Sequence, residues 1–136
     1  MTISRLAALR GARAAARVCY DIRNVPARAE FPPVDARLLD EIVRRIRAVG
    51  DPERIVLFGS RARGEARVES DLDLLIVEPS DRPRYRRAPR YLRALVGVFP
   101  AKDVVVWTPE EIAAWAAVPN AFITTALREG RVLYER

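Results

Sequence analysis

Three short apolar runs, residues 55–58, 74–77 and 104–107, stand out against an otherwise mixed chain of 136 residues. Each is four residues long and flanked by polar or turn-forming residues, which predicts buried strands rather than helices. Ahead of the first run, Leu38, Leu39, Ile42, Val43, Ile46 and Val49 recur at helical spacing, with Arg44, Arg45 and Arg47 on the opposite face. Asp35 is a suitable N-cap for that helix, Gly50 a stop, and Asp51-Pro52 a turn into the strand. Between the second and third runs, a turn over residues 79–83 precedes Tyr91, Leu92, Leu95, Val96 and Phe99, which mark a crossover helix. Pro89 starts it, because proline is tolerated in a first helical turn and not inside a helix. The third strand is expected over residues 103–107. Thr108 and Glu111 then form a capping box with Pro109 at the first helical position, and Ile112 and Trp115 are expected to face the core. A last helix over residues 120–129 stops at Gly130, and residues 131–135 read as a short edge strand.

Residues 1–34 read differently. Residues 1–20 carry no acid, are rich in Ala and Arg, and place Ile3, Leu6 and Leu9 at helical spacing. Pro26, Pro32 and Pro33 then interrupt any regular element. The segment is expected to be an N-terminal extension, loosely structured or helical, without the apolar core of a secretory signal. Residues 35–136 form the expected folded domain, long enough for one modest core.

Composition narrows the chemistry. The chain has no histidine, which excludes Ser-His triads, histidine general bases and histidine-ligated zinc. A single cysteine, Cys19, excludes an internal disulfide and a cysteine-rich metal site, and a reducing cytoplasm is the expected setting. No run of eighteen apolar residues exists to span a membrane. The net charge of +6 is a poor argument for nucleic acid. Arginine is used almost to the exclusion of lysine throughout, and Lys102 is the one lysine. Residues 1–34 carry +4 of that charge, leaving the folded part only mildly basic. The arginines around the crossover (Arg82, Arg84, Arg86, Arg87, Arg90 and Arg93) are read as a solvated face rather than a phosphate grip.

The chemistry lies between the first two strands. Gly59-Ser60 follows the first apolar run directly, and after ten residues comes Asp71-Leu72-Asp73, leading into the second run. The spacing predicts a strand, a tight turn opening a short helix, and a second strand. Alternate residues of a strand share a face, so Asp71 and Asp73 project together with Leu72 directed into the core. Two carboxylates this close repel, and a divalent cation between them relieves the repulsion. A Gly-Ser turn beside a helix N-terminus suits the phosphates such a cation would neutralise. Asp103, alone among acids between Asp81 and Glu110, opens the third strand. Either motif alone is uninformative. A lone GS is commonplace, and a lone DxD is ordinarily a solvated strand end. Three carboxylates at the starts of two strands, next to a phosphate-binding turn, suit two-metal phosphoryl chemistry.

This pattern, GSRARG followed by SDLDLLI and a later strand-borne aspartate, resembles the nucleotidyltransferase superfamily of the DNA polymerase beta type. In a chain this short it is most similar to the minimal nucleotidyltransferases, antitoxin partners of helical HEPN-domain toxins. The resemblance covers about residues 35–136. It implies an α/β (α+β) fold, a small mixed sheet flanked by helices. It implies transfer of AMP from ATP to a hydroxyl, with two Mg²⁺ ions held by Asp71, Asp73 and Asp103. Gly59 and Ser60 would receive the triphosphate, and Arg61 or Arg63 would neutralise the departing pyrophosphate. The implied acceptor is a tyrosine of a HEPN toxin, with which the protein would assemble. The rival expectations are a non-enzymatic antitoxin that masks its partner, a regulatory nucleotide-binding module, and transfer to an RNA or a small molecule. No residue reads as selecting the base of the nucleotide.

Overall fold

A computed structural model of the protein describes residues 34–67 and 70–136. The expected extension over residues 1–34 therefore lies, but for Val34, outside the described residues. Helix α1 (Ala36–Val49) opens on Asp35, whose Oδ1 accepts from the Leu38 amide at 2.9 Å. Its apolar stripe buries Leu39, Ile42 and Ile46, while Val49 is exposed at the helix end. Strand β1 (Arg54–Phe58) leads through the Gly-Ser turn to β2 (Leu72–Val77). A 3-10 turn (Arg84–Arg86) and helix α2 (Pro89–Ala94) cross over to β3 (Lys102–Trp107). Helices α3 (Pro109–Trp115) and α4 (Phe122–Glu129) follow, and β4 (Arg131–Glu135) ends the chain.

The four strands form one mixed sheet in the order β3-β2-β1-β4. Strand β1 runs antiparallel to both β2 and β4, whereas β2 and β3 are parallel. This is the expected α+β architecture. Alternation along the strands feeds two cores, one on each face. Ile55, Leu57, Leu72, Leu74, Ile76, Val104 and Val106 pack with Ile42 and Ile46 of α1 and with Tyr91 and Leu95. On the opposite face Val56, Phe58, Leu75, Val77 and Trp107 pack with Ile123 and Ala126 of α4.

Several expectations are corrected. The Gly-Ser segment does not open a helix. It closes two tight turns, with the amides of Ala62 and Arg63 donating to the Gly59 carbonyl and that of Glu65 to the Ser60 carbonyl. The crossover helix is shorter than its apolar spacing implies. Pro89 does start it, but Leu92, Val96 and Phe99 are exposed, Val96 by 72%. The capping box at Thr108 forms as expected. Trp115 is half exposed rather than core-facing, and meets Trp107 edge-on with centroids 6.4 Å apart. Helix α4 begins at Phe122 rather than Asn120, whose φ of 57° is left-handed and incompatible with a helical start. The crossover arginines are not all a solvated face. Arg87 is buried, donating to the Arg82 carbonyl and pairing with Glu111 at 2.8 Å, and Arg90 pairs with the buried Glu78. Arg45 leaves the solvent face of α1 to donate to the carbonyls of Ala94, at the end of α2, and Val96 just after it. In each case a long guanidinium reaches backbone or carboxylate oxygens that periodicity alone does not reveal.

Candidate active site

The parallel pairing of β2 with β3 decides the site. Asp73 and Asp103 are register partners on these neighbouring strands, so both side chains leave the same face of the sheet at the same end. By alternation that face is the one shared with Leu75, Val77 and Trp107, beneath α4. Asp71 stands just before β2, exposed, with the fully buried Leu72 between it and Asp73. Across the other neighbour, Asp73 is paired with Phe58, and Gly59 comes immediately after Phe58.

Gly59 is the point of closest approach. Its φ is +73°, and a Cβ placed on it would lie 2.2 Å from Oδ2 of Asp73. Only a residue without a side chain lets the turn backbone run this close to the carboxylate. Asp73 is half-buried, and its carboxyl is pushed above the usual carboxylate range. Burial is the first cause, followed by the charges of Asp103 and Asp71, with Arg63 opposing. The charges of Asp103 and Asp71 therefore both reach Asp73.

Ser60 is half-buried in the turn. The two arginines take different places. Arg61 donates through Nε and Nη2 to the Ser70 carbonyl at 3.0 and 2.7 Å, tying the start of the loop to the residue before Asp71. Arg63 is exposed and lies near Glu65 at 3.1 Å and Glu129 at 3.9 Å. On the β3 side, Lys102 donates to the Val98 and Pro100 carbonyls, closing the loop that delivers Asp103. The amide of Leu72 donates to the Ala101 carbonyl at 2.9 Å and holds the two strand starts level. Neither Ser70 nor Lys102 carries a sequence signal for this role, because Ser70 accepts through its backbone carbonyl and Lys102 donates to backbone carbonyls.

Among the described residues no three His, Cys, Asp or Glu side chains are already gathered as a metal-binding group. The donor set nonetheless fits a hard divalent cation. It consists of carboxylates only, and the repulsion from Asp103 and Asp71, which adds to burial in raising Asp73, is what a cation would relieve.

The family model for the nucleotidyltransferase domain matches residues 37–129. The chain belongs to this family. Within the nucleotidyltransferase domain the matched span contains the Gly-Ser turn and all three aspartates. Two solved structures share its fold. One, from Sulfolobus solfataricus and assigned as a nucleotidyltransferase, is 23% identical and superposes with a TM-score of 0.54, covering 74% of this chain and 80% of that one. The other is a toxin-antitoxin structure with AMP-PNP, 16% identical with a TM-score of 0.55, covering 72% of this chain and 73% of that one. No curated protein matches the chain.

Proposed function

We propose that this nucleotidyltransferase domain transfers AMP from ATP to a hydroxyl on another protein, a tyrosine of a HEPN-type toxin, and thereby acts as its antitoxin in the cytoplasm. The observation that carries the chemistry is the level pairing of Asp73 with Asp103 beside the close approach of Gly59. The fold likeness to a toxin-antitoxin structure with AMP-PNP supports the partner and the adenine nucleotide.

In this reading Gly59 and Ser60 receive the terminal phosphates on a backbone that no side chain obstructs. Asp71, Asp73 and Asp103 would hold two Mg²⁺ ions, which would neutralise the phosphates and stabilise the attacking and leaving oxygens. The acceptor oxygen forms a bond to the α-phosphorus as the bond from that phosphorus to the bridging oxygen breaks, and pyrophosphate leaves. A carboxylate oxygen of Asp103 takes the acceptor's proton. Ser60 does not serve as a covalent nucleophile, since the chain has no histidine to activate it. No helix among the described residues is long and apolar enough to cross a membrane.

The test is intact-mass measurement of the protein encoded beside this one, after incubation with this chain, ATP and Mg²⁺. A gain of one or more AMP units, absent with Asp71→Asn, is the expected result. An unchanged neighbour with a labelled RNA or small molecule would overturn the acceptor and leave the transfer chemistry standing.

A further inference from the structure

Strand β3 is an edge of the sheet, with β2 its one neighbour among the described residues. In a parallel pair each strand turns the amide and carbonyl of every second residue to its partner. The Leu72 amide donates to the Ala101 carbonyl and the Glu78 amide to the Trp107 carbonyl, so the odd-numbered residues of β3 face β2. The amides and carbonyls of Lys102, Val104 and Val106 point outward, and no hydrogen bond among the described residues uses them. The opposite edge is protected. Strand β4 carries Arg131 and Glu135 at its ends, and its pairing with β1 shifts register between Ile55 and Val56, devices that discourage a further strand. The edge of β3 has neither: its register is unbroken, and residues 104–106 hold no charge and no proline. Along it runs a groove of about 340 Å³. Ala88, packed with the α1 core, and Phe122, at the start of α4, wall the groove from opposite faces of the sheet, so it follows the strand edge. Its two ends differ in charge. Arg84 lies over the Trp107 ring at 4.0 Å at one end of β3, and the exposed Asp103 marks the other.

We infer that the outer edge of β3 docks the acceptor protein, an extended segment of which adds to the sheet as a further strand; the inference rests on the transfer to a protein hydroxyl proposed above. Outward amides and carbonyls at alternate positions are satisfied by an extended backbone and by little else. The register partner of Asp103 on an added strand presents its side chain on the same face, with the Cβ atoms about 5 Å apart. Strand addition therefore brings a hydroxyl side chain to the carboxylate proposed to take its proton. The register partner of Trp107 lies four positions along the segment, beneath Arg84, where an acidic residue complements the guanidinium. A second copy of this chain is the poorer occupant, because β3 laid against β3 would cover Asp103 in both copies.

The test is amide exchange at single-residue resolution on the full chain, alone and with the protein encoded beside it as the probe. The Val104 and Val106 amides should exchange quickly in the chain alone and at least about tenfold more slowly in the complex. Those of Asp103 and Val105, already bonded to β2, should change less. Val104→Pro removes an outward amide and spares the ladder with β2. It should cut AMP transfer to that protein about tenfold, the worth of one or two strand hydrogen bonds, and leave the calorimetric affinity for ATP in Mg²⁺ unchanged. Arg84→Glu should raise KM for that protein more than it lowers kcat. A neighbour that gains AMP while both valine amides stay as fast as in the free chain overturns the strand docking and leaves the transfer standing. A neighbour that gains no AMP overturns the proposed acceptor, and this docking with it. Protection of the two amides in the chain alone, rising with its concentration, assigns the edge to a second copy and overturns the inference.

Discussion

The Cα of Gly59 stands where any side chain would run into the carboxylate of Asp73, with a would-be Cβ 2.2 Å from Oδ2. The turn and the carboxylate are therefore built as one unit, and neither can be altered without moving the other.

Gly59→Ala is accordingly expected to fail twice over. The left-handed φ of +73° costs a residue with a Cβ about 1–2 kcal/mol, and the added methyl displaces Asp73. Denaturant unfolding should register the first effect and nucleotide transfer the second. A variant as stable and as active as wild type would mean that the close approach is dispensable.

Asp73 supplies a pH signature. Its folded-state carboxyl is raised by burial and by Asp103 and Asp71. A group raised in this way favours the folded state below its ordinary value of 3.8 and loses that contribution as pH climbs through the raised value. Without metal, Asp73→Asn should therefore be more stable than wild type at neutral pH, and the advantage should shrink on acidification. Thermal midpoints across pH 3 to 7, about the range over which carboxylates titrate, measure this. Added Mg²⁺ with ATP should raise the wild-type midpoint and not that of the variant. An advantage that is independent of pH would refute the electrostatic cause.

Arg61 separates two roles. As a phosphate ligand its loss would weaken ATP binding; as the tie to the Ser70 carbonyl its loss would loosen Asp71 and Asp73. The geometry favours the tie. Arg61→Ala should lower kcat on the order of a hundredfold, the cost of misplacing a catalytic group by about an ångström, with KM for ATP little changed. Arg61→Lys should recover only part of the rate, because an ammonium cannot reproduce the planar two-nitrogen contact. A large rise in KM at unchanged kcat would return Arg61 to the phosphates.

Much of this was legible in the sequence because the informative residues act locally. Asp35, Gly50, the Thr108–Glu111 capping box and the stop at Gly130 each work within a few residues of their own position, and all appear where the spacing puts them. The acids were legible because alternation on a strand is fixed by backbone geometry. What escaped depends on partners distant in the chain. Arg45, Arg87 and Arg90 looked like surface charges, yet reach oxygens 49, 24 and 12 residues away. Trp115 and Phe122 carry an apolar composition that promises burial, and no spacing rule says that the neighbouring layer ends before covering them. Arg61, expected at the pyrophosphate, donates to the Ser70 carbonyl nine residues on, a contact that spacing does not announce.

The parallel pairing of β2 and β3 has one more consequence, for the order in which the protein becomes competent. A chain completed only as far as Val77 already contains the Gly-Ser turn, Asp71 and Asp73. Its third acid is some thirty residues away and meets Asp73 only when 102–107 docks alongside β2. A slip of one position in that docking would send Asp103 to the far face. Under the proposed function, the pairing of Asp73 with Asp103 is thus a property of the finished sheet, withheld from every misregistered form of the chain.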